Sequence, residues 1–279
     1  AVLLIGPVVR NIKGWIYIGP IGFQPVELAK FSLILLYAKY LARAHVTIAR
    51  YSTIAITIAL VALPLGLVLL QPDLGSGLIL LGSWVGVILV SGLPRRRVIA
   101  GLLMGVLTIT FAWFFVLAPY QKARVMGVLN PNQDLLGVNY STNQAKIAVG
   151  SAGFFGKGYG QGTQTQLDFL TEPQGDFIVA ALTEEWGILG ALVVLIAFVA
   201  LLINILRIGV IAPRNVERLL CLGVVIVLLV QASLNIGSAL GLLPVIGVPF
   251  RFLSYGGSSL LTSMALIAIV NAIAYRARH

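Results

Sequence analysis

Charge is what this sequence has least of. Of its 279 residues only 10% are charged, and just nine are acidic, where a soluble domain carries roughly 25% charged residues. That excludes an ordinary water-soluble globule. The single cysteine, Cys221, stands in an apolar run, which excludes a disulfide framework and a thiolate metal site. Two histidines, His45 and His279, occupy basic loop or tail positions and make a histidine metal site a poor reading. No Ser-His-Asp set, Walker loop or haem signature is found in the sequence.

Apolar sequence is what abounds: 59% of residues are hydrophobic and the mean hydropathy is +0.99. Runs of about 20 apolar residues recur, each long enough as a helix to cross a hydrocarbon core of roughly 30 Å. Seven complete spans are expected, at about 26–42, 52–70, 75–92, 97–117, 176–206, 218–241 and 257–274. Pro, Gly and basic clusters such as Gly92-Leu93-Pro94-Arg95 and Pro213-Arg214 mark their ends. The opening AVLLIG reads as the last turns of a helix that starts earlier, not as a signal peptide. The expected fold class is all-α, a polytopic transmembrane helix bundle forming one integral membrane domain over 1–279.

The net charge of +10 would suggest nucleic acid in a soluble protein; here the basic residues read as loop anchors, and no nucleic-acid partner is expected. Eleven of the 19 basic residues fall in one set of alternate loops, which the positive-inside rule assigns to the cytoplasm. Of the acidic residues only Glu217 lies on that side. The long loop at about 118–175 therefore faces outward, and loops of that length are usually functional. Within it Ser141–Ala152 suits a short interfacial helix, and the glycine-rich run Gly150–Gly162 suits close backbone approach or a hinge.

Several polar residues need an account. Glu27 and Lys30, three positions apart, share a helix face and form either a self-neutralising pair or the lining of a polar cavity. Asp73, between Pro72 and Gly75, reads as a turn or N-cap residue, or as a partner for a loop cation or metal. Glu184 and Glu185 lie inside the 176–206 span; Glu184 shares nearly one face with Asp176, or pairs with basic loop residues. Asp176 is an N-cap or, with its affinity for protons raised by burial or by Glu184, a general base. Arg124, Lys146 and Lys157, with Gln144, Gln161, Gln164 and Gln166, suit a phosphate-bearing lipid head group or simple snorkelling. Ser254, Ser258 and Ser259 face a cavity or cap the last span.

Five motifs in order, QPVELAK, QPDLGSG, YQKARVMGVLNPNQDLLGVNYSTNQAKIAVGSAGFFGKG, GTQTQLDFLTEPQGDFIVAALTEEWGILG and GLLPVIGVPFRFLSYGGSS, together resemble the SEDS family of bacterial cell-wall synthesis. The GTQTQLDFL stretch looks most like its elongation (RodA-like) branch rather than its division (FtsW-like) branch. The resemblance implies about ten spans in a full member, at the bacterial plasma membrane, with the active site outside. It implies a peptidoglycan glycosyltransferase that polymerises lipid II into β-1,4 glycan strands by inverting displacement of undecaprenyl pyrophosphate, with Asp176 as catalytic residue. Glu27, Lys30, Asp73, Arg124 and Lys146 fall on family motif positions, and Gln144, Gln164 and Ser254 are added as substrate-binding or cavity candidates. Many members have His-Thr where this chain has Gln174-Gly175. A divalent cation (Mg or Mn) is a possible cofactor. A class B penicillin-binding protein and other elongation-complex membrane proteins are the implied partners, and a lipid II flippase is the alternative function.

Overall fold

The computed structural model describes residues 14–18, 21–44, 50–71, 73–131, 137 and 139–278. The expected helix end at AVLLIG, both histidines and Pro72 lie outside these residues. A short antiparallel hairpin, β1 (Ile16–Ile18) and β2 (Ile21–Phe23), pairs Ile16 with Phe23 and precedes an otherwise helical chain, in keeping with the expected helix bundle. Among the described residues the other regular elements are helices: α1 (Pro25–Ala44), α2 (Tyr51–Leu69), α3 (Leu74–Val90), α4 (Arg95–Phe115), α5 (Pro119–Leu129), α6 (Tyr140–Ser151), a single turn α7 (Thr163–Gln166), α8 (Ile178–Ile211), α9 (Asn215–Ala239) and α10 (Gly257–Arg278).

Each of the seven expected spans corresponds to a helix. Within α2, α4, α8, α9 and α10 lie stretches long and apolar enough to cross a membrane. The helix α3 is shorter, at 17 residues, and α1 carries Glu27, Lys30, Lys39 and Arg43 along its length. Helix starts follow local chemistry. Pro25 opens α1, where its missing N–H costs nothing, with Glu27 in the first turn to complement the helix dipole. Asp73 caps α3, its Oδ1 accepting from the Ser76 N–H at 3.0 Å. At the start of α5, Gln121 turns its side-chain oxygen back to accept from the Ala118 N–H at 3.0 Å.

The chain divides into two packed units. The first contains the described residues up to Leu93, Val199–Gln231 and Gly256 onward. Its core gathers Leu33, Tyr37 and Leu41 of α1, Val61 and Val68 of α2, Leu80 and Val87 of α3, and Ile226 of α9. Between α3 and α9 the contact runs through glycines one turn apart. A Cβ on Gly82 would sit 2.9 Å from Val230 Cγ1, and one on Gly86 would sit 2.5 Å from Ile226 Cγ2. This is the small-xxx-small device by which membrane helices approach closely when water supplies no driving force. Gly86→Val should therefore lower stability by about 1–3 kcal/mol through overpacking. Gly66→Ala, with no atom within 4 Å of the new methyl, should leave it nearly unchanged; melting curves of the two detergent-solubilised variants check the contrast.

The second unit contains Pro94–Phe198 and Ala232–Tyr255. Its core is built largely from small residues, Ala145 and Ala148 of α6, Ala180 and Ala181 of α8 and Ala239 of α9, into which Leu170 and Phe177 insert. The expected Ser141–Ala152 helix is α6 to within a residue. The long loop also contains α5 and α7, two short helices that no apolar run in the sequence marks. Gly187, with φ 71° and ψ −176°, breaks α8 into two helical pieces, where one continuous helix was expected.

Candidate active site

Asp176 sits in the turn that leads into α8, half-buried, two residues before the first helical residue. Its neighbours fix that turn from three directions. Phe177 inserts into the alanine core just described. Ser254 Oγ donates to the Gly175 carbonyl at 2.7 Å and accepts from the Phe250 N–H at 2.9 Å. Asn235, fully buried in α9, donates from its amide nitrogen to the Asp176 carbonyl at 2.9 Å and to the Val248 carbonyl at 2.8 Å. The Tyr255 N–H adds a bond to the Gln174 carbonyl at 2.8 Å. The Asp176 carboxylate faces Gly247, where a Cβ would stand 3.6 Å from Oδ2; the φ of +71° at Gly247 keeps that place for glycine.

Asn235 and Gly247 were missed in the sequence. A buried amide in an apolar span was the available signal, because an unpaired polar group in hydrocarbon is costly.

The segment that passes Asp176 also borders a basic cavity. Arg124, Lys146, Asn139, Asn143, Thr142, Gly241 and Val245 are among the residues lining about 270 Å³. Arg124 is tethered through Nη1 to the Val245 carbonyl at 3.0 Å, and Lys146 lies against Gly241, where any side chain would collide with its ammonium. Among the described residues, two cations and no carboxylate line this space. Such a lining accepts an anion with several oxygens, and a pyrophosphate is the expected kind. Gln144 sits in the same helix as Lys146, half-buried, and is not among the residues lining the cavity.

Gln164 serves elsewhere. Its N–H donates to Glu184 Oε1 at 2.9 Å, and its carbonyl accepts from Leu170. Glu184 is 0% exposed, and both its oxygens are engaged: Lys157 Nζ reaches Oε1 at 2.7 Å, and the Thr165 N–H reaches Oε2 at 3.1 Å with the Thr165 hydroxyl beside it. Glu184 does not share a cavity with Asp176, contrary to one of the two expectations for it: its carboxylate is taken up by Lys157, Gln164 and Thr165. Asp176 precedes the helix, so the eight-residue helical register does not relate them, while the alternative of a basic loop partner is realised in Lys157.

In the first unit Glu27 and Lys30 are both buried and paired at 2.7 Å. The Thr262 hydroxyl donates to the other carboxylate oxygen at 3.2 Å, so the ion pair is held across α1 and α10. Asp73, also buried, is engaged as the α3 cap. Among the described residues no group of three His, Cys, Asp or Glu converges as a metal set.

What this arrangement belongs to is fixed by four likenesses. The chain is 38% identical over 273 residues to the peptidoglycan glycosyltransferase MrdB of Escherichia coli K12, covering 98% of this chain and 74% of that one. It superposes with a TM-score of 0.82 and 33% identity on a chain from a structure describing coordination of polymerization and crosslinking by a peptidoglycan synthase complex, covering 99% of this chain and 77% of that one. It superposes with a TM-score of 0.67 and 30% identity on the rod shape determining protein RodA of Thermus thermophilus, covering 100% and 74%. The profile of the FtsW/RodA/SpoVE cell cycle proteins matches residues 1–279, and this multi-pass membrane chain belongs to that family.

Proposed function

We infer that this chain is a peptidoglycan glycosyltransferase, and we propose that it polymerises lipid II at the outer leaflet. The observation that carries the mechanism is the pairing of one held carboxylate, Asp176, with a cavity lined by two cations and, among the described residues, by no carboxylate, both bordered by the 241–248 segment. Asp176 takes the proton from the attacking sugar hydroxyl. The hydroxyl oxygen bonds to the anomeric carbon of the donor as the bond from that carbon to the pyrophosphate oxygen breaks. A single displacement inverts an α-linked donor into a β-linked glycan, so one base suffices where glycosidases use two carboxyls. Arg124 and Lys146 receive the charge that develops on the leaving pyrophosphate. Glu27 and Lys30 supply a neutral, rigid pair within their own unit.

The outward placement of this chemistry is supported by the charge asymmetry of the loops. The relative whose structure describes coordinated polymerization and crosslinking supports a crosslinking partner of the class B penicillin-binding type.

The test is polymerisation of labelled lipid II by the full-length protein with its cognate partner, with moenomycin silencing ordinary glycosyltransferases. Glycan ladders are expected. Lys146→Gln should raise the KM for lipid II more than it lowers kcat, because a resting contact to the pyrophosphate binds substrate as well as transition state. Failure to make glycan while lipid II still crosses liposomes would assign transport instead.

A further inference from the structure

The aromatic side chains of the 153–160 loop have no place in the chemistry above, yet the fold gives them a fixed position. Phe154, Phe155, Tyr159 and Trp186 are 68%, 82%, 81% and 56% exposed. The Tyr159 and Trp186 rings lie 6.4 Å apart. The loop is joined to the break in α8 by backbone bonds in both directions. Lys157 and Gly158 donate to the carbonyls of Glu184 and Glu185 at 2.9 and 3.0 Å, while Ile188 and Leu189 donate to those of Gly153 and Phe154 at 3.1 and 3.2 Å. Only glycine fits the crossing. Gly156 and Gly187 both have positive φ, and a side chain on either would strike the other's backbone. The Lys157–Glu184 ion pair closes the joint from the inside.

The height of this joint relative to a bilayer follows from the helix it grips. Ile188–Leu206 contains no charged residue and ends at Arg207. Nineteen helical residues rise about 28 Å at 1.5 Å each, close to the thickness of a hydrocarbon core. The core thus begins immediately after Gly187, and everything stitched to residues 184–189 stands at its boundary. Below the joint the exposed apolar face continues without interruption through Ile188, Leu189, Leu192 and Val193. Tyr and Trp, aromatic rings with one polar end, favour this boundary, and the rings of Phe154 and Phe155 add apolar area beside them.

We propose that Phe154, Phe155, Tyr159 and Trp186 form an aromatic anchor that seats the 153–160 loop in the headgroup–hydrocarbon boundary of the bilayer. The occupant of the patch is phospholipid. Through the Glu184 joint the anchor sets the height of the loop that continues through α7 and Leu170 to the turn bearing Asp176. The inference rests on the membrane-spanning character of α8 and not on the reaction, so it stands or falls separately from the glycosyltransferase reading.

The test uses the full-length protein carrying Cys221→Ser, reconstituted in phosphatidylcholine–phosphatidylglycerol nanodiscs. Nitroxide labels are placed on Phe155→Cys, on Tyr159→Cys and, as a control, on Glu172→Cys, an exposed loop position. Collision with oxygen, which partitions into lipid, is compared with collision with a water-soluble nickel chelate. The ratio of oxygen to nickel accessibility should be several-fold higher at 155 and 159 than at 172. Equal ratios at all three would overturn the proposal and leave the patch as a surface for a protein partner. The unsubstituted protein gives an independent reading through a lipid-borne diazirine: crosslinks on the peptide spanning 154–159 are expected, and their absence while α8 is labelled would also overturn it.

Discussion

Asp176→Asn will leave the protein folded and stop glycan synthesis. Asparagine keeps the shape of the side chain, and the bonds that fix the turn use backbone atoms: the Asp176 carbonyl from Asn235 and the Gly175 carbonyl from Ser254. What is lost is a group able to take a proton. General bases contribute about 10²–10⁴-fold to rate, so kcat for lipid II polymerisation should fall by about 10³ with KM changed little. Melting temperature should match the parent. A variant that polymerises within a few-fold of the parent would reduce Asp176 to a helix-entry residue, and the base would have to be sought elsewhere.

Glu184→Ala will have the largest effect on stability. The substitution strips a fully buried carboxylate from Lys157, from two backbone N–H groups and from the hydroxyl of Thr165. Removing one partner of a buried ion pair costs about 3–5 kcal/mol because the other charge is left in a medium that cannot solvate it. Lys157, partly solvated at 24% exposure, brings the expected loss to the lower end, about 3 kcal/mol. Combining Glu184→Ala with Lys157→Met should recover part of it by removing the orphaned ammonium, leaving the cost of the two orphaned N–H groups. Thermal unfolding in detergent measures both. If the single variant melts with the parent, the joint does not hold the loop. Glu184→Gln is expected to fall between them, since an amide oxygen still accepts from the backbone but offers Lys157 no counter-charge.

Sequence and structure divide along physical lines. A membrane span is a one-dimensional signal: the length of an apolar run against the thickness of a hydrocarbon core is decided residue by residue. The spans, the charge asymmetry of the loops, the helix Tyr140–Ser151 and the position of Asp176 at the entry to α8 were all legible for that reason, as was the pairing of Glu27 with Lys30, which lie one turn apart. The motifs that carry the family likeness are contiguous and were legible too.

Contacts between distant segments were not. Asn235 lies 59 positions from the carbonyl it holds, and Lys157 lies 27 from the carboxylate it pairs with; nothing in either local sequence names its partner. Glycine at 187 is tolerated in a straight membrane helix, and only the backbone of Gly156 against it turns that position into a break. Arg124 and Lys146 were visible as cations, but their meeting in one cavity depends on where the 241–245 turn passes. The sequence by itself determined which residues enter the membrane and which carboxylate stands at the edge, because hydrophobic length and local capping act within a few turns. The tertiary structure alone decided what holds that carboxylate still and where two cations converge, because those are packing outcomes between segments that share no local signal.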